Sequence, residues 1–188
     1  MFEPNVNYFE NSKYRNKFLV ATPKLIDLDI CSSVVYIIND GSNGKSPVGI
    51  ILNGRKINEV FVLKQNVKNK KILGDSYPVH FSGTQPSGIS FSYNDNVYVP
   101  DSSYAVAENV YSGTYQDFVN YASKDLLKDN SYRLFSGNLV WKNSLQLEFE
   151  IKNGAWKLID FDKNSFFDFA KLSLISGKPE TRLSPSFN

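Results

Sequence analysis

The sequence predicts a single compact domain of strands and helices, and three observations carry that prediction. The chain has 188 residues, about the length of one ordinary domain and enough to bury a core without disulfide or metal staples. Its hydrophobic fraction is 41%, with 14% aromatic residues, which suits a folded globule and not a disordered chain. Short runs rich in Val and Ile alternate with stretches of helical period, with no long linker between them.

Residues 1–16 are polar with scattered Phe and Tyr and no sustained period, so they read as an N-terminal arm on a domain spanning 1–188. Residues 18–21 and 33–38 are apolar runs suited to buried strands. Residues 40–47, DGSNGKSP, collect turn formers. A third strand at 47–53 makes residues 33–53 a hairpin. Ile57 to Leu63 reads as a helix, followed by a Lys-rich loop. Strands are expected at 78–82, 88–93 and 97–99, divided by the turns SGTQPSG and NDN, with another over Tyr104 to Val110. Thr114 is placed to cap a helix running through Leu127, because Phe118, Tyr121, Ala122 and Leu126 share a helical face and Asp117 sits in its first turn. A strand at 132–137 and a helix at 164–175 follow, the helix stopped by Gly177 and Pro179; residues 178–188 form a loose tail.

Residues 145–151 are ambiguous. Leu145, Leu147, Phe149 and Ile151 alternate with polar residues and precede Asn153-Gly154, so the pattern favours a hairpin of strands 144–152 and 155–161. The same letters permit a short helix ending at Gly154.

Composition excludes several chemistries. Cys31 is the only cysteine and His80 the only histidine, which rules out an intramolecular disulfide, a several-Cys zinc site and an HExxH protease. Twenty-one Lys and Arg against 19 Asp and Glu leave a net charge of +2, a total that lends no support to a nucleic-acid binder. With no apolar leader and no run approaching 18 apolar residues, the expected place is the cytoplasm, away from membranes. Gly44-Lys45-Ser46 ends like a phosphate loop, but Asn39 stands where its first Gly belongs and Pro47 opens a strand where a helix is needed; a hairpin turn is the better account. The pairs Asp27/Asp29, Glu148/Glu150 and Asp160/Asp162 have spacing that suits acid–base work or a hard cation, and equally a solvated face. Cys31, Ser32 and Ser33 precede a strand without a nucleophile elbow. Trp141 and Trp156 read as core anchors.

Taken in order, these segments resemble the AlgH/YqgE-like family of small bacterial proteins. Phe18-Leu19-Val20-Ala21-Thr22-Pro23, Leu25 with Asp27, and Ser33-Val34-Val35-Tyr36-Ile37 match its opening signature. Gly49-Ile50-Ile51-Leu52-Asn53, Val79-His80-Phe81-Ser82-Gly83, Arg133-Leu134-Phe135-Ser136-Gly137, Trp141, Gln146-Leu147-Glu148 with Glu150-Ile151, and Gly154-Ala155-Trp156 follow in the family's order. The chain departs from the pattern at Gly54, where Arg-Pro is common, at Ser82 and Thr84 around a lone glycine, and at Val140 before Trp141. The resemblance implies an α+β fold of bent antiparallel or mixed sheets forming a flattened, barrel-like core with helices outside. It also implies that residues 145–151 are helical, against the hairpin reading. The family name refers to a proposed role in regulating alginate synthesis, and no biochemical activity comes with it.

The expected function is therefore a non-catalytic cytoplasmic binding or regulatory protein with a protein or small-molecule partner and no metal or cofactor. One alternative is an enzyme acting through Asp27, Glu148 or His80. Another is a weak nucleic-acid-binding regulator using Lys64, Lys68, Lys70 and Lys71, which lack a helix-turn-helix and base-stacking aromatics; specific recognition of nucleic acid is not expected. A ligand site is expected among Asp27, Ser33, Asn53, Ser82, Gly83, Gln146 and Glu148, which are small or polar residues at strand ends or within an apolar stretch. The competing reading is structural, with these side chains pairing buried backbone groups.

Overall fold

Alternate residues of a strand face opposite sides of a sheet, and the first strands of this chain are apolar on both. In the computed structural model, which describes residues 13–14, 17–42, 44–64, 73–94 and 104–177, β1 (Lys17–Ala21), β2 (Val34–Asn39) and β3 (Val48–Ile51) are antiparallel neighbours. Phe18, Val20, Val34, Tyr36 and Ile50 enter one core layer, while Leu19, Ala21, Val35, Ile37 and Ile51 enter a second on the opposite face. A sheet apolar on both faces must be covered on both.

The remaining strands are β4 (Lys56–Lys64), β5 (Leu73–Phe81), β6 (Gln85–Asn94), β7 (Tyr104–Ala107), β8 (Val110–Gly113), β9 (Tyr132–Val140) and β10 (Trp156–Asp160). They complete a ten-stranded, curled half-barrel sheet in the order β10-β1-β2-β3-β9-β6-β8-β7, with β5 also beside β9 and β4 beyond β5. β9 joins the two halves. It pairs antiparallel with β6, parallel with β5 around Leu134 to Ser136, and antiparallel with β3 at Leu139 and Val140.

Among the described residues, three α-helices cover the sheet. α1 (Tyr115–Ser123) starts at Thr114, whose side chain and Asp117 form a reciprocal capping box. It lays Phe118, Tyr121 and Ala122 on Val62, Tyr77, Phe91, Tyr93 and Leu134. α2 (Ser144–Lys152) buries Leu147 in the layer of Trp141 and Trp156. α3 (Phe169–Ser176) buries Leu172 beside Phe166 and Phe167.

Several expectations need correction. Ile57 to Leu63 is not helical: β4 pairs with β5 throughout, and Val60 and Val62 pack inward while Phe61 and Leu63 point out, a period of two. Residues 144–152 are helical, as the resemblance implies, because Asn143 accepts a hydrogen bond from Gln146 N at one end and Gly154 turns at φ +74° beyond the other. The first helix stops at Ser123, since Asp125 adopts φ +57°. The expected helix at 164–175 is a 3₁₀ turn, Lys163–Ser165, and then α3, restarted by Asp168 accepting from Lys171 N and ended by Gly177 at φ +69°. Tyr104 to Val110 crosses the turn between β7 and β8. The expected strand at 97–99 and the tail from 178 lie outside the described residues.

Candidate functional site

The segment that leaves β3, Leu52 to Arg55, is the structural centre of the candidate region. Leu52 N donates to Val34 O at 2.8 Å. Asn53, 2% exposed, accepts from Val34 N at 2.8 Å and donates through Nδ2 to Ser32 O at 2.9 Å. One side chain thereby completes both unpaired backbone groups at the entry to β2. Ser82, fully buried, accepts through Oγ from Ile51 N at 3.1 Å, and its own N–H donates to Ser136 O at 2.9 Å. Gly83 runs at φ +148° against β9, so close that a Cβ there would sit 2.1 Å from Asn138 C. Together these contacts tie the ends of β3 and β5 to β9.

A cleft of about 190 Å³ opens on one side of this segment, lined by Leu28, Asp29, Cys31, Ser33, Asn53 and Arg55 among others. The structure brings Ser33 and Asn53 together there. Asp27 stands two residues before Asp29; its carboxylate accepts from Asp29 N at 2.9 Å and its carbonyl from Cys31 N at 2.9 Å, which closes the turn. Cys31 Sγ donates to Leu28 O at 3.2 Å.

Gln146 and Glu148 belong to α2 and line neither this cleft nor the one described next. Gln146 accepts from Lys142 N at 2.8 Å and donates to Glu150 Oε1 at 2.9 Å. Glu148 pairs with Lys13 at 2.5 Å on the surface, holding the segment before β1.

Two residues outside the expected set carry more of the geometry. Glu150 Oε2 accepts from both indoles, Trp141 Nε1 at 2.8 Å and Trp156 Nε1 at 2.9 Å. The helical spacing of Gln146 and Glu150, with two tryptophans nearby, was the signal for it. Arg133, 9% exposed, donates through Nη1 to Leu52 O at 2.7 Å and through Nη2 to Phe167 O at 2.9 Å. Burial pulls its pKa down to about 10, so it stays cationic at neutral pH. Only the R-x-F-x-G match pointed to it.

Arg133 lines a second, more open pocket of about 370 Å³, with Pro78, His80, Leu134 and Phe167 in its wall and Asp129 beside them. His80 Nδ1 meets Gly54 O at 3.2 Å. Burial, and then the neighbouring Arg133 charge, hold its pKa below the usual histidine value and keep the imidazole neutral at pH 7. The Leu52 to Arg55 segment thus stands between the two depressions, giving Leu52 O to Arg133 and Gly54 O to His80.

Lys64 is paired with Asp75 and Asp125, while Lys68, Lys70 and Lys71 lie outside the described residues. Among the described residues no His, Cys, Asp and Glu cluster is arranged to hold a metal ion, and no helix is long and apolar enough to cross a membrane.

A family model described as AlgH-like matches residues 18–176. A UPF0301 protein of Buchnera aphidicola is 27% identical over 161 residues, covering 82% of each chain. A UPF0301 protein of Rhizobium etli is 24% identical over 170 residues, covering 86% of this chain and 83% of the relative. The solution structure of the AlgH protein from Pseudomonas aeruginosa superposes with a TM-score of 0.60 at 17% identity, covering 98% of this chain and 95% of that one. That likeness is one of fold.

Proposed function

We propose that this chain, which belongs to the AlgH-like family, is a non-catalytic binding or regulatory protein of the cytoplasm. One observation carries the reading: the scaffold engages the acid–base and nucleophile candidates Asp27, Cys31, Glu148 and Glu150, and one ring nitrogen of His80. Asp27 closes a turn, Cys31 donates to Leu28 O, His80 Nδ1 meets Gly54 O, Glu148 pairs with Lys13, and Glu150 receives two indoles. A general base must reach the proton it removes, and a nucleophile needs a base beside it. Cys31 and His80 instead line different depressions. Open clefts with walls held this firmly suit recognition, where a rigid receptor lowers the entropy lost on binding.

Equilibrium dialysis of the purified protein against a bacterial metabolite extract tests this. The expected result is a compound retained by the protein and recovered chemically unchanged, with the free extract constant over time. A component consumed in proportion to protein concentration, and spared by Glu148→Gln or His80→Gln, would make the chain an enzyme.

A further inference from the structure

Among the described residues, Arg133 is a buried cation without a buried anion beside it. A guanidinium taken out of water is ordinarily matched by a carboxylate, because desolvation of an unpaired charge is costly. Among the described residues no carboxylate lies within ion-pair distance of Arg133; its hydrogen bonds go to two neutral carbonyls, Leu52 O and Phe167 O. Asp168 acts on it only at longer range, and its carboxylate caps α3 through Lys171 N. A guanidinium has five N–H donors, so these two bonds leave most of the fork unused beside an open pocket. The ring of Phe169 stacks against the guanidinium at 5.6 Å and lies 6.5 Å from the imidazole of His80. Pro78, Leu134 and Phe167 supply apolar wall.

We propose that the pocket beside Arg133 binds the carboxylate of a small organic acid with an apolar body, Arg133 taking the carboxylate and His80 gaining a proton as the anion arrives. This deepens the binding reading by naming a ligand class. The fork matches a planar carboxylate. Exposed Asp129 at the rim opposes a second negative charge, which selects a monoanion over a phosphate dianion. His80, on β5, is acted on by Arg133 from β9 and Lys56 from β4 and shares the pocket wall with Asp129, while Asp168, just before α3, acts on Arg133. Burial first, and then these two cations, hold its pKa down; a bound carboxylate offsets the cations' share and moves the pKa upward.

Since His80 is the only histidine, its imidazole gives one set of NMR signals, and benzoate, benzamide and inorganic phosphate at matched ionic strength are suitable probes. Benzoate should shift those signals saturably and raise the His80 pKa by about one unit, the scale set by one nearby charge. Benzamide, its neutral isostere, and phosphate should do neither. This comparison uses the unaltered chain. Arg133→Gln, or Arg133→Lys if the first fails to fold, should weaken the benzoate response about tenfold or more, as expected on losing a bidentate charged bond. Equal responses to benzoate and benzamide, an equal response to phosphate, no saturation, or full benzoate response in a folded Arg133 variant would each overturn the assignment. The readout follows one imidazole and not the fate of a compound, so its failure is separate from failure of the dialysis experiment.

Discussion

Gly83→Ala is expected to destabilise the protein by more than about 4 kcal/mol, the range reached only when a backbone or core feature is broken outright. The added Cβ would lie 2.1 to 2.3 Å from Asn138 C, Asn138 O and Leu139 N, all backbone atoms of β9, at a φ of +148° that side chains rarely adopt. β9 has no room to retreat, since it is held by β3, β5 and β6. The residues also approach from the other side: Gly137, at φ +87°, would place a Cβ 2.3 Å from Gly83 O. Urea unfolding followed by circular dichroism measures the effect, and a loss below about 1 kcal/mol, typical of an ordinary substitution, would contradict this packing.

Glu150→Ala is expected to lower stability by about 2 to 6 kcal/mol, from two buried donors each losing an acceptor at roughly 1 to 3 kcal/mol apiece. Trp141 and Trp156 are 3% and 2% exposed, so water does not readily replace the carboxylate. Their rings meet edge to face at 6.0 Å, and the shared oxygen fixes that geometry between α2, β10 and the end of β9. Glu150→Gln keeps an acceptor oxygen and should lose less than half as much. These are the only tryptophans in the chain, so native-state fluorescence reports on the same site. Unfolding curves and emission spectra of the Ala variant that match the parent would show the carboxylate to be incidental.

What the sequence made legible follows from how many constraints each segment carries. β1 to β3 could be read because both faces are buried, and a run of Val, Ile and Leu survives any choice of period. α2 could not be read from periodicity: Leu147 is its buried residue, while Leu145 and Phe149 are 72% and 67% exposed, so its apolar letters do not mark an inward face. The ordered resemblance placed that helix. β4 was misread because seven letters from Ile57 to Leu63 carry both periods, and its partner β5 lies across residues 65–72.

The candidate site was legible in position more than in role. Asn53, Ser82 and Gly83 do stand at the ends of buried strands, but their roles depend on Ser32, Ile51 and Asn138 arriving beside them. Arg133 was opaque for the opposite reason. Within Tyr132-Arg133-Leu134-Phe135 a cation reads as a solvent-facing residue, and the carbonyls that receive it lie 81 and 34 residues away.

The central claim is that the family's polar signature builds a rigid scaffold around binding clefts and performs no chemistry itself. Equilibrium urea unfolding of Asn53→Ala beside Glu148→Gln tests it most directly. Asn53 is buried and bonds two backbone groups, so its removal should cost about 2 kcal/mol or more. Glu148 makes an exposed ion pair with Lys13, so its neutralisation should stay within about 0.5 kcal/mol of the parent. An Asn53→Ala protein as stable as the parent that no longer retains a compound in dialysis would contradict the claim and return Asn53 to the binding site itself.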